Sequence, residues 1–437
     1  MSSAEEEVLE LPELTLKASG PNPAEQWVNG EKVQASPGYP PLVFLLADAF
    51  TNWVGRIAID CNSQAVSIRY QIDGIWRDMP ALDRQTGDYM VAVLKQIAGL
   101  DYRTRDRVQK GKFKAELYFK KFECHVRCEP VPTGERIEIL IDLPRPEPDT
   151  LIDMGMREKS FEQFRQFFSN KSGLIVAATL PGDGASTLWR GVKSAGDRFM
   201  SDYVTLEPEG QTEPEVINVN SVTYPADKPF EEALNHLLLR EPDAVFLPKL
   251  KDGKLLHTAL KLATKYQRLI VAQIEANSAA DAIYRLMLMG MKPDEINQML
   301  IGVIASRTAR RLCDNCKQPY EPDPATLARL GIPAGRVRQF FAPFDPQQFA
   351  EVDKNGNTIL PPPCEHCQGV GYFGRLGLFE LIPNNDQVKR LIAGQRPLAE
   401  MQELLRRSQI RSFREEGIAA IALGQTSIEE IQRVLKK

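Results

Sequence analysis

At 437 residues the chain has room for two to three domains, each with a full core. Charged residues make up 26% of it and nearly cancel to a net charge of −4, which excludes a global electrostatic case for nucleic acid or anionic lipid as the main partner and leaves only a local basic patch open. No apolar run reaches the length of a bilayer, and the acidic start MSSAEEEVLELPEL is neither a signal peptide nor a basic amphipathic anchor; the expected location is cytoplasmic, with membrane contact only through a protein partner.

Residues 1–40 scatter Pro, Gly, Glu and Ser without sustained periodicity and read as a flexible leader with one docking segment. Residues 41–146 mix two periods. RIAID and AVSIRYQID alternate as strands do, YMVAVLKQIAGL has helical spacing, and KAELYF, FECHVRCEPV and RIEILIDL read as strands, so a small α+β domain is expected. The prolines of PRPEPD, Pro144 to Asp149, disfavour a regular element, and a linker is placed at 147–158. From 159 to 437 the chain alternates FEQFRQFF, GLIVAATL, a glycine turn and helix, DYVTLE, EEALNHLLL, DAVFLPKL, LLHTALKLAT and RLIVAQIE. That order predicts an α/β doubly wound sheet with ligands at the carboxyl ends of its strands. Beyond Ile274 the reading is mostly helical, interrupted by a cysteine-bearing region at 313–380.

The stretch ATLPGDGAST, Ala178 to Thr187, sits at such a strand end. Strand, glycine turn and a hydroxyl pair opening a helix form the layout of a phosphate loop, whose backbone amides cradle phosphates while a lysine reaches the terminal ones. Here the lysine position holds Ala185, and Asp183 puts a carboxylate where an anion should bind. The strongest chemical signal is elsewhere. Cys313-Asp-Asn-Cys316 and Cys364-Glu-His-Cys367 are two C-x-x-C hooks suited to tetrahedral zinc, and with all four positions filled by sulfur the metal is expected to be structural. His366, inside the second hook, is left out of the ligand set. Cys61, Cys124 and Cys128 read as core residues, and the LMLMGM run at 286–291 as core packing. DYRTRDRVQKGKFK is expected to be a solvated or intersubunit face rather than a nucleic-acid site, and RTARR before Cys313 to be charges at a helix end.

With these segments laid out, residues from about 43 to 437 resemble the secretion ATPase family of type II secretion and type IV pilus assembly. RYQIDGIW, IAGLD and Gln109 to Phe113 resemble the family's second N-terminal domain. EPDAVFLPKLKD stands at its Walker B position, RLIVAQIEANSA at its histidine box, GVIASRTARRLCDNC before its zinc pairs, and GYFGRLGLFELI and FREEGIAAIALGQTSIEEI match its tail. The resemblance implies a RecA-like P-loop NTPase domain with a zinc-binding subdomain, preceded by the smaller α+β domain, and a hexameric ring, alone or with family paralogues, beneath an inner-membrane platform protein. It also implies a nucleotide site at Gly182, Asp183, Gly184, Ala185, Ser186, Thr187 and Arg105, with Glu207 and Lys249 as the groups nearest to catalytic positions.

That site departs from the family pattern in four elements. Thr179 and Ala185 replace the first glycine and the lysine of Walker A. Pro248-Lys249 replaces a Gly-Glu pair, Glu275 the histidine, and Glu207-Pro208 a Glu-Asp pair, while Arg105 is kept and Lys112 is conservative. Loss of cation and base together leaves little to stabilise phosphoryl transfer, which speaks against ATP and Mg as working cofactors. The expected function is a degenerate assembly or regulatory subunit. The alternatives are a motor drawing cations from Lys249 or Lys251, and a zinc-stabilised adaptor that forms no ring.

Overall fold

The computed structural model of the protein describes residues 11–19, 30–144, 148–210, 214–225, 227, 229–250, 252–333, 335–352, 354, 357–408 and 410–436. Half of the leader, the middle of PRPEPD, and Lys251 lie outside the described residues. The chain divides into two compact units, Met1–Pro146 and Glu147–Lys437.

The first unit contains β1 (Leu14–Lys17), α1 (Tyr39–Thr51), β2 (Arg56–Cys61), β3 (Ala65–Ile72), β4 (Ile75–Asp83), α2 (Arg84–Ile97), β5 (Gln109–Leu117), β6 (Lys120–Val131) and β7 (Gly134–Asp142). Its strands form one antiparallel sheet in the order β1-β5-β6-β7-β2-β3-β4. Strict alternation sets the buried face, since β3 turns Val66, Ile68, Tyr70 and Ile72 inward and its polar residues outward. Leu42, Leu46 and Phe50 of α1 and Met90 and Leu94 of α2 fill the core on that face. Asp83 starts α2 by accepting a hydrogen bond from the Thr86 amide at 3.0 Å. Within the stretch read as leader, β1 joins the sheet with Leu14 opposite Leu117 and Lys17 opposite Lys114. Cys61, Cys124 and Cys128 are buried in this core, and burial pushes the Cys61 thiol up to about 11.

The second unit contains α3 (Glu158–Arg165), β8 (Gly173–Thr179), α4 (Ala185–Ala195), β9 (Tyr203–Pro208), β10 (Val219–Tyr224), α5 (Phe230–Leu238), β11 (Ala244–Leu247), α6 (Gly253–Tyr266), β12 (Leu269–Glu275), α7 (Ala279–Leu288), α8 (Pro293–Met299) and β13 (Leu300–Leu312). It continues through β14 (Gln318–Tyr320), α9 (Pro324–Leu330), β15 (Phe340–Ala342), β16 (Glu351–Val352), β17 (Thr358–Ile359), β18 (Tyr372–Pro383), α10 (Asp386–Ala393), α11 (Leu398–Arg407), α12 (Phe413–Ala422) and α13 (Ile428–Leu435). The main sheet runs β10-β9-β11-β12-β8-β13-β18, parallel except for β18. Every residue of β8 is buried because both faces are covered. Leu174, Val176 and Ala178 enter one core layer, Ile175 and Ala177 the other, the latter with Phe164, Trp189 and Phe246.

Beyond Ile274 helices α7 to α13 predominate as expected, but the reading missed β13 and β18, which are 13 and 12 residues long and pair antiparallel. RTARR lies within β13, not at a helix end. Its strand character is masked in sequence because Arg307 and Arg310, though charged, are drawn inside by partners. Of the LMLMGM run, Leu286 and Met291 are buried while Leu288 is exposed. Among the described residues no helix is long and apolar enough to cross a membrane.

Candidate nucleotide loop and metal centre

The loop Leu180–Gly184 leaves the carboxyl end of β8 and enters α4. Gly184 caps the helix with φ 82° and ψ 36°, a left-handed conformation that glycine adopts without strain. A Cβ there would also come within 3.1 Å of the Thr308 hydroxyl. Loop closure is internal. The Asp183 amide donates to the Leu180 carbonyl at 3.1 Å, and the Asp183 carbonyl accepts from Thr308 Oγ1 at 2.8 Å and Thr179 Oγ1 at 3.4 Å. Thr179, which stands where the family has its first glycine, thus serves as a brace.

The Asp183 side chain is buried, whereas Gly182 and Ser186 are exposed and Ala185 and Thr187 half-buried. Its charge is felt on α13. Hydrogen bonding to Glu430 raises Arg433 above the ordinary guanidinium value against its partial burial, and the charges of Glu430 and Asp183 add to that. Arg433 is held mainly by Glu430, and the Asp183 carboxylate adds a smaller electrostatic attraction from the loop.

Glu430 anchors a larger cluster. It accepts from Arg310 Nη2 at 2.8 Å and from Arg433 Nε at 2.8 Å, is almost wholly buried, and has its own amide on Ser427 Oγ. Arg310 also stacks 3.9 Å from the Tyr372 ring centroid. Arg307, one turn of pleat away, donates to the Asn277 and Val434 carbonyls. These contacts strap α13 over β13 beside the loop. Burial pushes the Glu430 carboxyl up, but hydrogen bonds from Arg433 and Arg310 outweigh it and hold the group below its ordinary 4.5. A depressed carboxylate contributes stability above its unfolded pKa and loses it as pH falls through the folded one. Glu430→Gln is expected to cost about 3 kcal/mol at pH 7 by leaving the half-buried Arg310 and Arg433 short of negative charge. In urea titrations the gap to the unmodified protein should close below pH 4.5.

Glu207 and Lys249 lie at the same ends of the strands. Glu207 is the penultimate residue of β9, buried, with Ser221 Oγ 3.5 Å from its carboxylate. Lys249 follows β11 in a left-handed conformation, φ 48°, with an exposed side chain. Its amide donates to Gln273 Oε1 at 3.3 Å, while Gln273 Nε2 donates to the Ala185 carbonyl at 3.1 Å, so one glutamine ties the Walker B turn to the first turn of α4. Sequence reasoning missed both Gln273 and Thr308. A motor that drew a cation from Lys249 would be served best by a lysine on the strand next to the loop in the fold, the place expected for it, but β12 intervenes between β11 and β8. Glu275, opposite Thr179 in the register, is exposed. Arg105 lies in the first unit, exposed and 3.2 Å from Asp88.

Cys313 directly follows β13 and Cys367 precedes β18, so the antiparallel pairing of these strands brings the two hooks together. The Cys313 amide donates to the Gly371 carbonyl at 3.0 Å, and the Gly371 amide donates to Cys367 Sγ at 3.2 Å. The Sγ atoms of Cys313, Cys316, Cys364 and Cys367 all lie within 4.8 Å of one another, with 4.0 Å between Cys313 and Cys364 and 3.5 Å between Cys316 and Cys367. Tetrahedral sulfur ligands at about 2.3 Å from a metal stand roughly 3.8 Å apart. The cluster fits a coordinated ion. His366 instead packs its ring 4.0 Å from that of Phe373.

Comparison with known proteins agrees with this geometry. The chain is 27% identical over 387 residues to the type IV pilus assembly ATPase PilB of Thermus thermophilus, an alignment covering 89% of this chain and 42% of that protein. Against the type II secretion system ATPase E of Vibrio cholerae it is 27% identical over 422 residues, covering 95% and 79%. The chain thus spans less than half the length of the Thermus protein. In structure it resembles the Legionella pneumophila ATPase DotB with a TM-score of 0.56 at 12% identity, covering 92% of this chain and 96% of that one, and the Yersinia pseudotuberculosis ATPase DotB with 0.55 at 14%, covering 98% and 99%. These likenesses show the fold, a RecA-like P-loop NTPase architecture. The profile of the Type II/IV secretion system protein family matches residues 34–433, and the chain belongs to that family.

Proposed function

We propose that this chain is a ring-forming assembly or regulatory subunit of a type II secretion or type IV pilus machine that no longer hydrolyses nucleotide. It would act at the cytoplasmic face of the inner membrane, as a homo- or hetero-hexamer with family paralogues, beneath a platform protein and without a specific nucleic-acid partner. The observation that carries this reading is the state of the loop. Ala185 offers no cation, Asp183 puts a buried carboxylate in the loop, and Lys249 stands where an activating glutamate belongs. Ring surfaces depend on packing and survive such losses.

The tetracysteine centre supports structural zinc as the cofactor, because a closed set of four sulfurs leaves no position for a reacting water. Residues 41–146 and 159–437 would then be the family's second N-terminal domain and its degenerate motor domain.

Calorimetric titration of ATP and ADP with Mg, with phosphate release followed on the same sample, is expected to show binding weaker than about 1 mM and background turnover. Native mass measurement should show ring assemblies, alone or with an active relative. Robust Mg-dependent turnover that disappears in Lys249→Ala would establish the motor alternative instead, and monomers in every mixture would leave only the adaptor.

A further inference from the structure

The hairpin joining β5 and β6 turns on two residues, Tyr118 and Phe119, with Leu117 paired to Lys120 on either side. Both have positive φ, 47° and 65°. Two consecutive left-handed residues in a two-residue loop make a type I′ turn, which selects Asn-Gly because bulkier side chains crowd the backbone there. The aromatic pair does not offset that strain by packing. Phe119 is 96% exposed, the most exposed large apolar residue among those described, and Tyr118 is 65% exposed. A strained conformation kept at a tip that serves no core points to recognition.

Cations surround the tip. Lys120 and Lys121 follow it directly and are exposed, and the Lys120 ammonium lies 4.8 Å from the Trp53 ring centroid. Farther along the solvent face of the sheet, which Lys121 shares and Lys120 does not, Lys17 and Lys112 are matched by Glu116 and Glu123 at 3.6 and 3.1 Å. Lys121 stands opposite Glu116, which Lys17 already approaches, and Lys120 lies over Trp53, so both exposed ammonium groups at the tip retain donors for negative charge outside the chain.

We propose that the Tyr118–Phe119 tip is a lipid-surface anchor, its rings entering the headgroup boundary of an anionic membrane while Lys120 and Lys121 meet the headgroup phosphates. The tip is a convex two-residue turn, which a deformable lipid boundary accepts without a preformed cavity. Aromatic rings beside lysines satisfy both halves of that boundary, apolar below and anionic above. With a chain net charge of −4, the attraction has to come from these local lysines, so the contact is sensitive to salt. One such anchor is reversible. The inference rests on the first unit alone and is independent of whether nucleotide is hydrolysed. It departs from the expectation that membrane is reached only through a protein.

The test floats the full-length protein with vesicles of phosphatidylcholine alone and of phosphatidylcholine mixed with phosphatidylglycerol. Binding to the anionic vesicles is expected, weakened by salt, and at least about tenfold weaker in Tyr118→Asn/Phe119→Gly, which removes two buried rings from the contact. That variant installs the residues the turn prefers, so thermal denaturation should find it at least as stable as the unmodified protein. Lys120→Glu/Lys121→Glu should weaken binding by about twentyfold or more. Tryptophan difference fluorescence of Phe119→Trp should shift to the blue on adding anionic vesicles. The proposal fails if the unmodified protein ignores anionic vesicles, or if the Asn-Gly variant binds them equally well. It also fails if Phe119→Trp responds only to a vesicle-free fraction of acidic proteins, which would assign the tip to a protein pocket.

Discussion

Removal of the metal from the four-cysteine cluster should lower the melting temperature by about 10 °C or more. It should also open the segment between the hooks to proteolysis while leaving the parallel sheet intact. Among the described residues, the segment from Cys316 to Cys364 carries only the two-turn helix α9, a 3-10 turn at Pro346–Phe349 and the short strands β14 to β17, and it exposes Phe349, Val352 and Ile359. Phe340 is its one large residue in the core among those described. A stretch that buries so little cannot offset its own ordering entropy, and a metal joining its two ends supplies the difference. β13 and β18 pair from Gly302–Pro383 to Leu312–Tyr372 without help from the metal, so damage should stop at the hooks. Elemental analysis should find about one zinc per chain. Cys313→Ser/Cys367→Ser should abolish it and reproduce the effect of chelation. A metal-free protein indifferent to chelators would make the cysteines two plain dithiol pairs.

How far the sequence reaches is visible in particular strands. GLIVAAT and RLIVAQIE read correctly as buried parallel strands because helices cover both faces and leave continuous apolar runs. β13 hid behind its arginines. Arg307 and Arg310 look like surface charges until Asn277, Val434 and Glu430, distant in sequence by up to 127 residues, are seen to receive them. Strand β10, with the polar sequence VNSVTY on the sheet edge, carries too little apolar periodicity to stand out. The cysteine hooks were legible because thiolate spacing is local chemistry. The bracing of the phosphate loop by Thr308 and Gln273 was not, since those partners come from strands that only the fold brings beside it.

Asp183→Asn/Ala185→Lys should raise the affinity of the loop for ADP or inorganic pyrophosphate about 100-fold and still give no turnover. The first part follows from charge. A carboxylate about 6 Å from a bound phosphate costs about 3 kcal/mol at an effective dielectric near 20, and removing it while adding a cation reverses the sign of the local field. Asparagine keeps the size of the buried side chain, and the Asp183 carbonyl that Thr308 and Thr179 hold belongs to the backbone, so the loop should keep its shape. Binding then uses the helix N-terminus and the exposed amides around Gly182 and Ser186. Hydrolysis needs more than a held phosphate. The attacking water still meets Lys249 instead of a base, and Glu275 adds negative charge on the strand paired with β8. Each such group is worth two or more orders of magnitude in rate, and such groups act as a unit rather than additively. Calorimetry with phosphate release on the same variant separates the two effects. If Ala185→Lys alone restored Mg-dependent hydrolysis, one missing charge would account for the silence of the loop, and the chain would be a motor awaiting its cation.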